Sequence, residues 1–347
     1  MAVITVVGAG MMGSALSMPA RDNGHEVRLV GTHLDRDIID SLKESGYHPT
    51  LKRQLPDGIK AFQLEEIEQA LPGTDVVIGG VSSFGVEWFG EKILPLIPDH
   101  VPVLAVTKGL RELENGDLQT FPHYWKELTG GRLSINAIGG PCTSYELADR
   151  RNSWVYFCGE EPAILFRLKK LLETDYYHVS TSTDVVGVEA AVAMKNGYAL
   201  GVSFAIGLQE REFGEGCIQA FNPQAALFGQ AAMEMTKFVR FLGGRDESIN
   251  VGIGDLYVTI YGGRTRKLGI LLGRGLSIED ALAELQGVTL ESVMITTRAA
   301  SALRKLHERG LINMDEFPLL RHVDEVINQG RPVNIPWKSF TETAPWS

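Results

Sequence analysis

Lys195 stands alone as a charge in "AVAMKNGYALGVSFAI", residues 191–206, among Ala, Val, Met, Gly, Tyr and Leu. An unpaired ammonium buried in such a run costs on the order of several kcal/mol, so it needs a partner or a task. The bland alternative is a lysine that snorkels to the surface. Three further groups have chemical character. Gly8-Ala9-Gly10-Met11-Met12-Gly13 spells GxGxxG, Lys108 closes "VLAVTKG", and Asp255 sits in "VGIGDLYVT". Behind them, Gly262-Gly263-Arg264-Thr265-Arg266-Lys267 gathers three cations after two glycines.

Each group implies a chemistry. In GxGxxG the first glycine (Gly8) allows a tight turn and the second (Gly10) lets the backbone approach a pyrophosphate. The third (Gly13) lets helix and strand pack closely, and the helix N-terminus around Met11 and Met12 supplies N–H donors. A glycine turn kept for packing alone would read the same. The β-branched run directly before it points to a dinucleotide. Arg forks match phosphate oxygens, so the 262–267 cluster suits a phosphate, although such runs are often only solvated faces. Asp255 follows a glycine and reads as a helix N-cap or first-turn residue, a role that capping alone would explain.

The elements that must position these groups follow from periodicity. Short apolar runs at 2–7, 25–31, 74–83, 101–109, 133–141, 153–159 and 176–182 read as strands. Helix-like stretches such as 36–45 and 162–173 separate them. The alternation predicts a doubly wound parallel sheet of Rossmann type, an α/β fold. Ligands bind outside the carboxyl ends of such strands. Those ends carry Ser82 and Ser83, then Lys108, then Gly140 and Cys142. A solvated loop lysine is the alternative for Lys108; its place at a strand end favours contact with an oxygen-rich ligand. From residue 184 the pattern turns helical. The expected division is a dinucleotide-binding domain at 1–183, a helical substrate domain at 184–330 and an irregular tail at 331–347. Pro19, inside the first helix, predicts a kink or an early stop.

The 347 residues suit two domains, and a formal net charge of -10 argues against nucleic acid and anionic membrane as partners. The three cysteines, Cys142, Cys158 and Cys217, form no disulfide framework and no CxxC pattern. They suggest a reducing cytoplasm, and no metal is expected. No secretory signal is visible, and the Lys195 segment reads as a buried core helix rather than a membrane span.

With these motifs in place, the chain resembles the soluble NAD(P)-dependent glycerol-3-phosphate dehydrogenases over nearly its whole length. The likeness rests on "GAGMMGSAL", "AVTKGL", "GGPCTSYELA", "EAAVAMKNGYAL", "GIGDLYVT", "GGRTRKLG" and "LESVMIT" in this order. The resemblance implies that Lys195 is the catalytic lysine, that Lys108 touches cofactor and substrate, and that Asp255 and Thr259 complete the network of Lys195. It implies that Arg264 reads the substrate phosphate near the cofactor, flanked by Gly263 and Thr265, and that Asn196, Gly140 and Cys142 lie on the substrate side. Ser144 and Glu291 would contact the cofactor. Three places in the chain depart from the family pattern, each on the substrate side. Thr265 replaces a usual asparagine, Cys142 a small polar residue, and Gly229-Gln230 a usual Thr-Arg.

The implied reaction is hydride transfer between NAD(P)H and C2 of dihydroxyacetone phosphate or a related ketose phosphate, with Lys195 moving the proton and Lys108 stabilising the oxygen. The partner is then a small phosphorylated substrate, and large apolar helices suggest a homodimer. A β-hydroxyacid dehydrogenase with a carboxylate substrate, or a non-catalytic dinucleotide sensor, are the alternatives. The second strand ends Val30-Gly31-Thr32-His33 with no acid at its tip, Asp35 following later in the loop. Thr32 and His33 can donate to a 2′-phosphate, with Arg36 close in sequence, so NADPH is favoured over NADH.

Overall fold

The β-branched run at the start forms a buried strand, and the glycine loop turns it directly into a helix. The computed structural model describes residues 1–285 and 291–342. Its strands are β1 (Val3–Val7), β2 (Glu26–Val30), β3 (Tyr47–His48), β4 (Arg53–Gln54), β5 (Lys60–Phe62), β6 (Val76–Gly79), β7 (Val103–Ala105), β8 (Leu110–Glu112), β9 (Leu118–Thr120), β10 (Ile135–Gly139), β11 (Ser153–Cys158) and β12 (Tyr177–Ser182). Eight of them form one sheet in the order β12-β11-β10-β7-β6-β1-β2-β5. The order runs outward in both directions from β1 and β6, so the switch point, where an open α/β sheet takes its ligand, lies between these two strands.

The helices of the first part are α1 (Met11–Asp22), α2 (Arg36–Ser45), α3 (Ile67–Ala70), α4 (Val86–Lys92), α5 (Phe121–Leu128), α6 (Ser144–Ala148) and α7 (Pro162–Leu172). Those of the second are α8 (Val185–Phe213), α9 (Phe221–Phe241), α10 (Ile249–Tyr261), α11 (Gly263–Arg274), α12 (Ile278–Glu284), α13 (Glu291–Glu308), α14 (Pro318–Gln329) and α15 (Trp337–Glu342).

Three expectations are corrected. The sheet is not wholly parallel, because β10 and β11 run antiparallel with Ala137 opposite Cys158. Helix α1 does not stop at Pro19 but continues to Asp22. Leu16, Met18 and Ala20 are buried around the proline, and this packing outweighs the backbone bond that it forfeits. The tail is not irregular throughout, since α15 forms there and sets Trp337 edge-on to Phe340 at 5.7 Å.

By packing, the chain divides into two units. One unit is Met1–Lys108 with Thr120–Glu189, and the other is Gly109–Gln119 with the chain from Ala190 onward. The packing boundary falls within the first turns of α8, shortly after the division expected at residue 183, and the 109–119 excursion groups with the second unit. That excursion belongs with the helices because Leu110 and Leu118 join the helical core. Glu112 and Asp117 also pair with Lys305 and Arg309. Each unit has its own core, around Val6, Leu29, Ile78 and Leu104 in the first and around Tyr198, Phe204, Phe238 and Leu320 in the second. Helix α8 is long and apolar enough to cross a membrane by composition, yet 83% of its most apolar window is buried inside the fold, as in a core helix.

Candidate active site

In the first unit the glycine loop sits at the switch point. Gly8 has φ +112°, which favours glycine, and a Cβ there would come within 2.6 Å of the Gly80 carbonyl oxygen. A Cβ on Gly13 would meet the Gly8 carbonyl oxygen at 2.1 Å, so α1 can approach β1 only without one. Gly10 differs. Nothing lies within 4 Å of a Cβ built there, and any side chain would occupy the open space in front of the loop. Gly10 is also the N-cap of α1, which has no side-chain cap and no acid in its first turn. The helix thus presents its first N–H groups, those around Met11 and Met12, to whatever lies before it.

That space is part of a cavity of about 370 Å³ lined by Gly8, Gly10 and Gly80 on the loop side and by Thr32, Ser82 and Trp88 around it. The glycine cradle, the uncapped helix and the position at the switch point fit the pyrophosphate and ribose of a dinucleotide. His33 also lines the cavity and lies edge-on to Trp88 at 5.6 Å.

The reading of the β2 tip needs correction. The Thr32 hydroxyl donates to Asp35 Oδ2 at 2.8 Å and accepts from the Leu34 N–H at 3.2 Å. Its proton is engaged, so it has none to give a 2′-phosphate. Arg36 pairs with Glu65. Of the three groups expected to favour that phosphate, His33 has no such engagement among the described residues and lines the cavity.

Lys108 ends the segment after β7, half-buried, and its Nζ donates to the Gly140 carbonyl at 2.9 Å. This joins two of the strand-end groups, with Cys142 two residues further on. Ser83 and Ser144 are both buried and are not among the residues that line the cavity. Glu189, which the sequence pattern does not single out as a site residue, is fully buried close enough to Lys108 for the two to interact electrostatically.

In the second unit, Lys195 finds its partner. Its Nζ lies 2.5 Å from Asp255 Oδ1, with the lysine side chain 14% exposed and the aspartate 1%. Asp255 is not a cap: α10 begins at Ile249, which puts Asp255 in mid-helix and removes the capping explanation. Thr259 follows one turn later, and its hydroxyl donates to the Asp255 carbonyl at 2.7 Å. Asn196 is half-buried beside Lys195 in α8.

The pair is set by close helix contact. A Cβ on Gly252, one turn before Asp255, would lie 2.8 Å from the carbonyl oxygen of Ala191, one turn before Lys195. Helix α11 starts at Gly263 (φ +83°), with Arg264 exposed and Thr265 half-buried in its first turn. The cation run is not uniform, since Arg266 donates to the Ile260 carbonyl at 2.9 Å and so closes the end of α10. The side chain of Glu291 lies outside the described residues. No cluster of metal-binding side chains occurs among the described residues.

The profile for the NAD-dependent glycerol-3-phosphate dehydrogenase N-terminus matches residues 3–162, and that for its C-terminus matches residues 184–337. An NADP(+)-dependent glycerol-3-phosphate dehydrogenase of Archaeoglobus fulgidus is 36% identical over 286 residues, covering 82% of this chain and 84% of that one. A glycerol-3-phosphate dehydrogenase [NAD(P)+] of Myxococcus xanthus is 27% identical, covering 94% and 93%. The crystal structure of glycerol-3-phosphate dehydrogenase from Coxiella burnetii shares the fold, with a TM-score of 0.80 at 23% identity over 99% of both chains. The chain belongs to the NAD-dependent glycerol-3-phosphate dehydrogenase family and is an NAD(P)-dependent oxidoreductase.

Proposed function

We propose that this chain interconverts dihydroxyacetone phosphate and glycerol 3-phosphate, that Lys195 carries the proton, and that NADPH is preferred over NADH. The observation that carries the reading is the Lys195–Asp255 pair at 2.5 Å in an apolar setting. The nicotinamide, when bound, supplies the hydride to C2 in reduction and accepts it in oxidation. As the C2 oxygen gains charge, the Lys195 ammonium gives it a proton and becomes a neutral amine; in oxidation the amine takes that proton back. Asp255 holds Nζ in place and balances its charge, and Thr259 braces the same helix face. Lys108 supplies a second positive charge to the oxygen. Arg264, exposed in the first turn of α11 beside Gly263 and Thr265, takes the phosphate.

The NADPH preference rests on His33 at the cavity, on the engagement of Asp35 by the loop, and on the relative named as NADP(+)-dependent at 36% identity. Three free cysteines fit a reducing cytoplasm. Exposed Phe213, Ile218 and Phe221 fit self-association as a homodimer.

Lys195→Met tests the central claim. Turnover should fall by roughly 10²–10⁴-fold while cofactor binding, read by fluorescence titration, stays within about twofold. Turnover close to that of the unmodified enzyme would remove Lys195 from the mechanism.

A further inference from the structure

Ala9, between the first two glycines of the loop, has both of its backbone polar groups tied. Its N–H donates to Asp35 Oδ2 at 3.1 Å. The same oxygen accepts from the Thr32 N–H and the Thr32 hydroxyl, each at 2.8 Å. Its carbonyl lies 2.8 Å from His48 Nε2 and accepts the Ser14 hydroxyl at 3.1 Å. His48 is fully buried in β3. The Leu51 N–H, which can only donate, points at His48 Nδ1 at 3.0 Å. Nδ1 therefore carries the lone pair and Nε2 the proton, so His48 donates to the Ala9 carbonyl.

A trans peptide is planar, with its C=O and N–H pointing in opposite directions. Holding the Ala9 carbonyl against His48 turns the Gly10 N–H the other way, and Gly10 lines the cavity. A flipped Ala9–Gly10 peptide would instead offer a carbonyl oxygen to an anion. Asp35 fixes the preceding peptide in the same manner.

We propose that His48 and Asp35 are positioning residues for the dinucleotide, a two-sided clamp on Ala9 that aims the Gly10 N–H at the pyrophosphate, and that Asp35 serves this clamp rather than reading the ribose. The inference rests on the dinucleotide reading of the cavity. It predicts that the clamp acts on a part that NADH and NADPH share.

The test uses four variants of the full chain: His48→Ala, His48→Gln, Asp35→Ala and Asp35→Asn. Dissociation constants for NADH and NADPH come from fluorescence titration, with kcat at saturating cofactor and the melting temperature alongside. His48→Ala and Asp35→Ala should weaken both cofactors by a similar factor, roughly tenfold as for the loss of one buried hydrogen bond, with kcat nearly unchanged. His48→Gln, which keeps a donor for Ala9, and Asp35→Asn, which keeps an acceptor for Thr32 and Ala9, should recover most of the affinity. If the alanine variants fail to fold, the Gln and Asn variants still decide, because they must bind both cofactors nearly as the parent does. Lower melting temperatures with unchanged cofactor affinity would overturn the clamp as a positioning device. A shift of tenfold or more in the NADPH to NADH preference of Asp35→Asn would overturn it too, by making Asp35 a ribose reader. Titration needs no turnover, so these results stand apart from any failure on glycerol 3-phosphate.

Discussion

Glu189 is fully buried, and neither carboxylate oxygen has a hydrogen-bond partner among the described residues. Burial pushes its pKa up to about 8, against the pull of the Lys108 ammonium. The folded protein therefore keeps a proton that the unfolded chain loses from its ordinary value of 4.5. Between these values the native state binds more protons, so stability falls as pH rises through the window and stays lower above it. A tenfold change in proton affinity corresponds to about 1.4 kcal/mol, so the effect is of the order of a few kcal/mol. Glu189→Gln should flatten this slope, leaving the smaller contribution of buried Glu234, whose pKa is pushed up to about 7 mainly by burial. Urea midpoints at pH 6 and pH 8.5 measure it, and equal slopes in both proteins would contradict it. Arg264→Ala belongs to the same scale. It should raise the KM for dihydroxyacetone phosphate far more than for an unphosphorylated ketone, since a charge-assisted contact is worth roughly 1.5–3 kcal/mol. Equal effects on both would assign Arg264 to the cofactor or the fold. Lys195 is legible in the sequence because a charge inside an apolar run demands an explanation. His48 is not, because its meaning comes from a contact with Ala9, 39 residues away, and "YHP" offers no local signal.

Between helices, small residues fix the distances on which the proposed chemistry depends. Gly252 lets α10 approach α8 at Ala191, and Gly207 lets α11 do so, where a Cβ would come within 2.1 Å of the Ile270 carbonyl. Backbone cannot yield as a side-chain tip can, so overpacking here separates the helices and typically costs about 1–3 kcal/mol. Gly252→Ala lies one turn from Asp255 and should spread the Lys195–Asp255 pair, lowering kcat more than cofactor affinity. Gly207→Ala should lower the urea midpoint with a smaller effect on kcat for the same loss of stability. The comparison is a pair of chevron and steady-state measurements, and identical kcat losses at matched destabilisation would refute the positional argument. The buried strands are readable because β-branched runs have few other uses. The edge strand Lys60–Phe62 escapes such a reading because it is short, with Lys60 exposed and Ala61 and Phe62 only half-buried. Asp255 is easily misplaced because "VGIG" reads as a loop, whereas close packing on α8 selects glycine inside a helix.

At the scale of the whole chain, the alternation of strands and helices, the helical second half and the glycine loop can be read from the sequence, but the membership of residues 109–119 cannot. Residues 109–119 join the helical unit through long-range packing of Leu110 and Leu118, which no local pattern announces. The formal charge of -10 also hides the local cluster of cations at Arg264, Arg266 and Lys267. A ligand that binds only the folded chain stabilises it by about 2.7 kcal/mol at a hundred times its dissociation constant. NADPH should therefore raise the melting temperature by several degrees, and at equal concentration by more than NADH does. Lys195→Met should show the same pair of shifts, because the cavity proposed for the dinucleotide is lined by Gly8, Gly10, Thr32 and their neighbours, all outside the helical unit. A variant without turnover but with full cofactor stabilisation would separate binding from proton transfer. If the shift were lost together with turnover, Lys195 would be holding the cofactor rather than the proton, and if NADH stabilised more than NADPH, the loop after β2 would be reading the ribose after all.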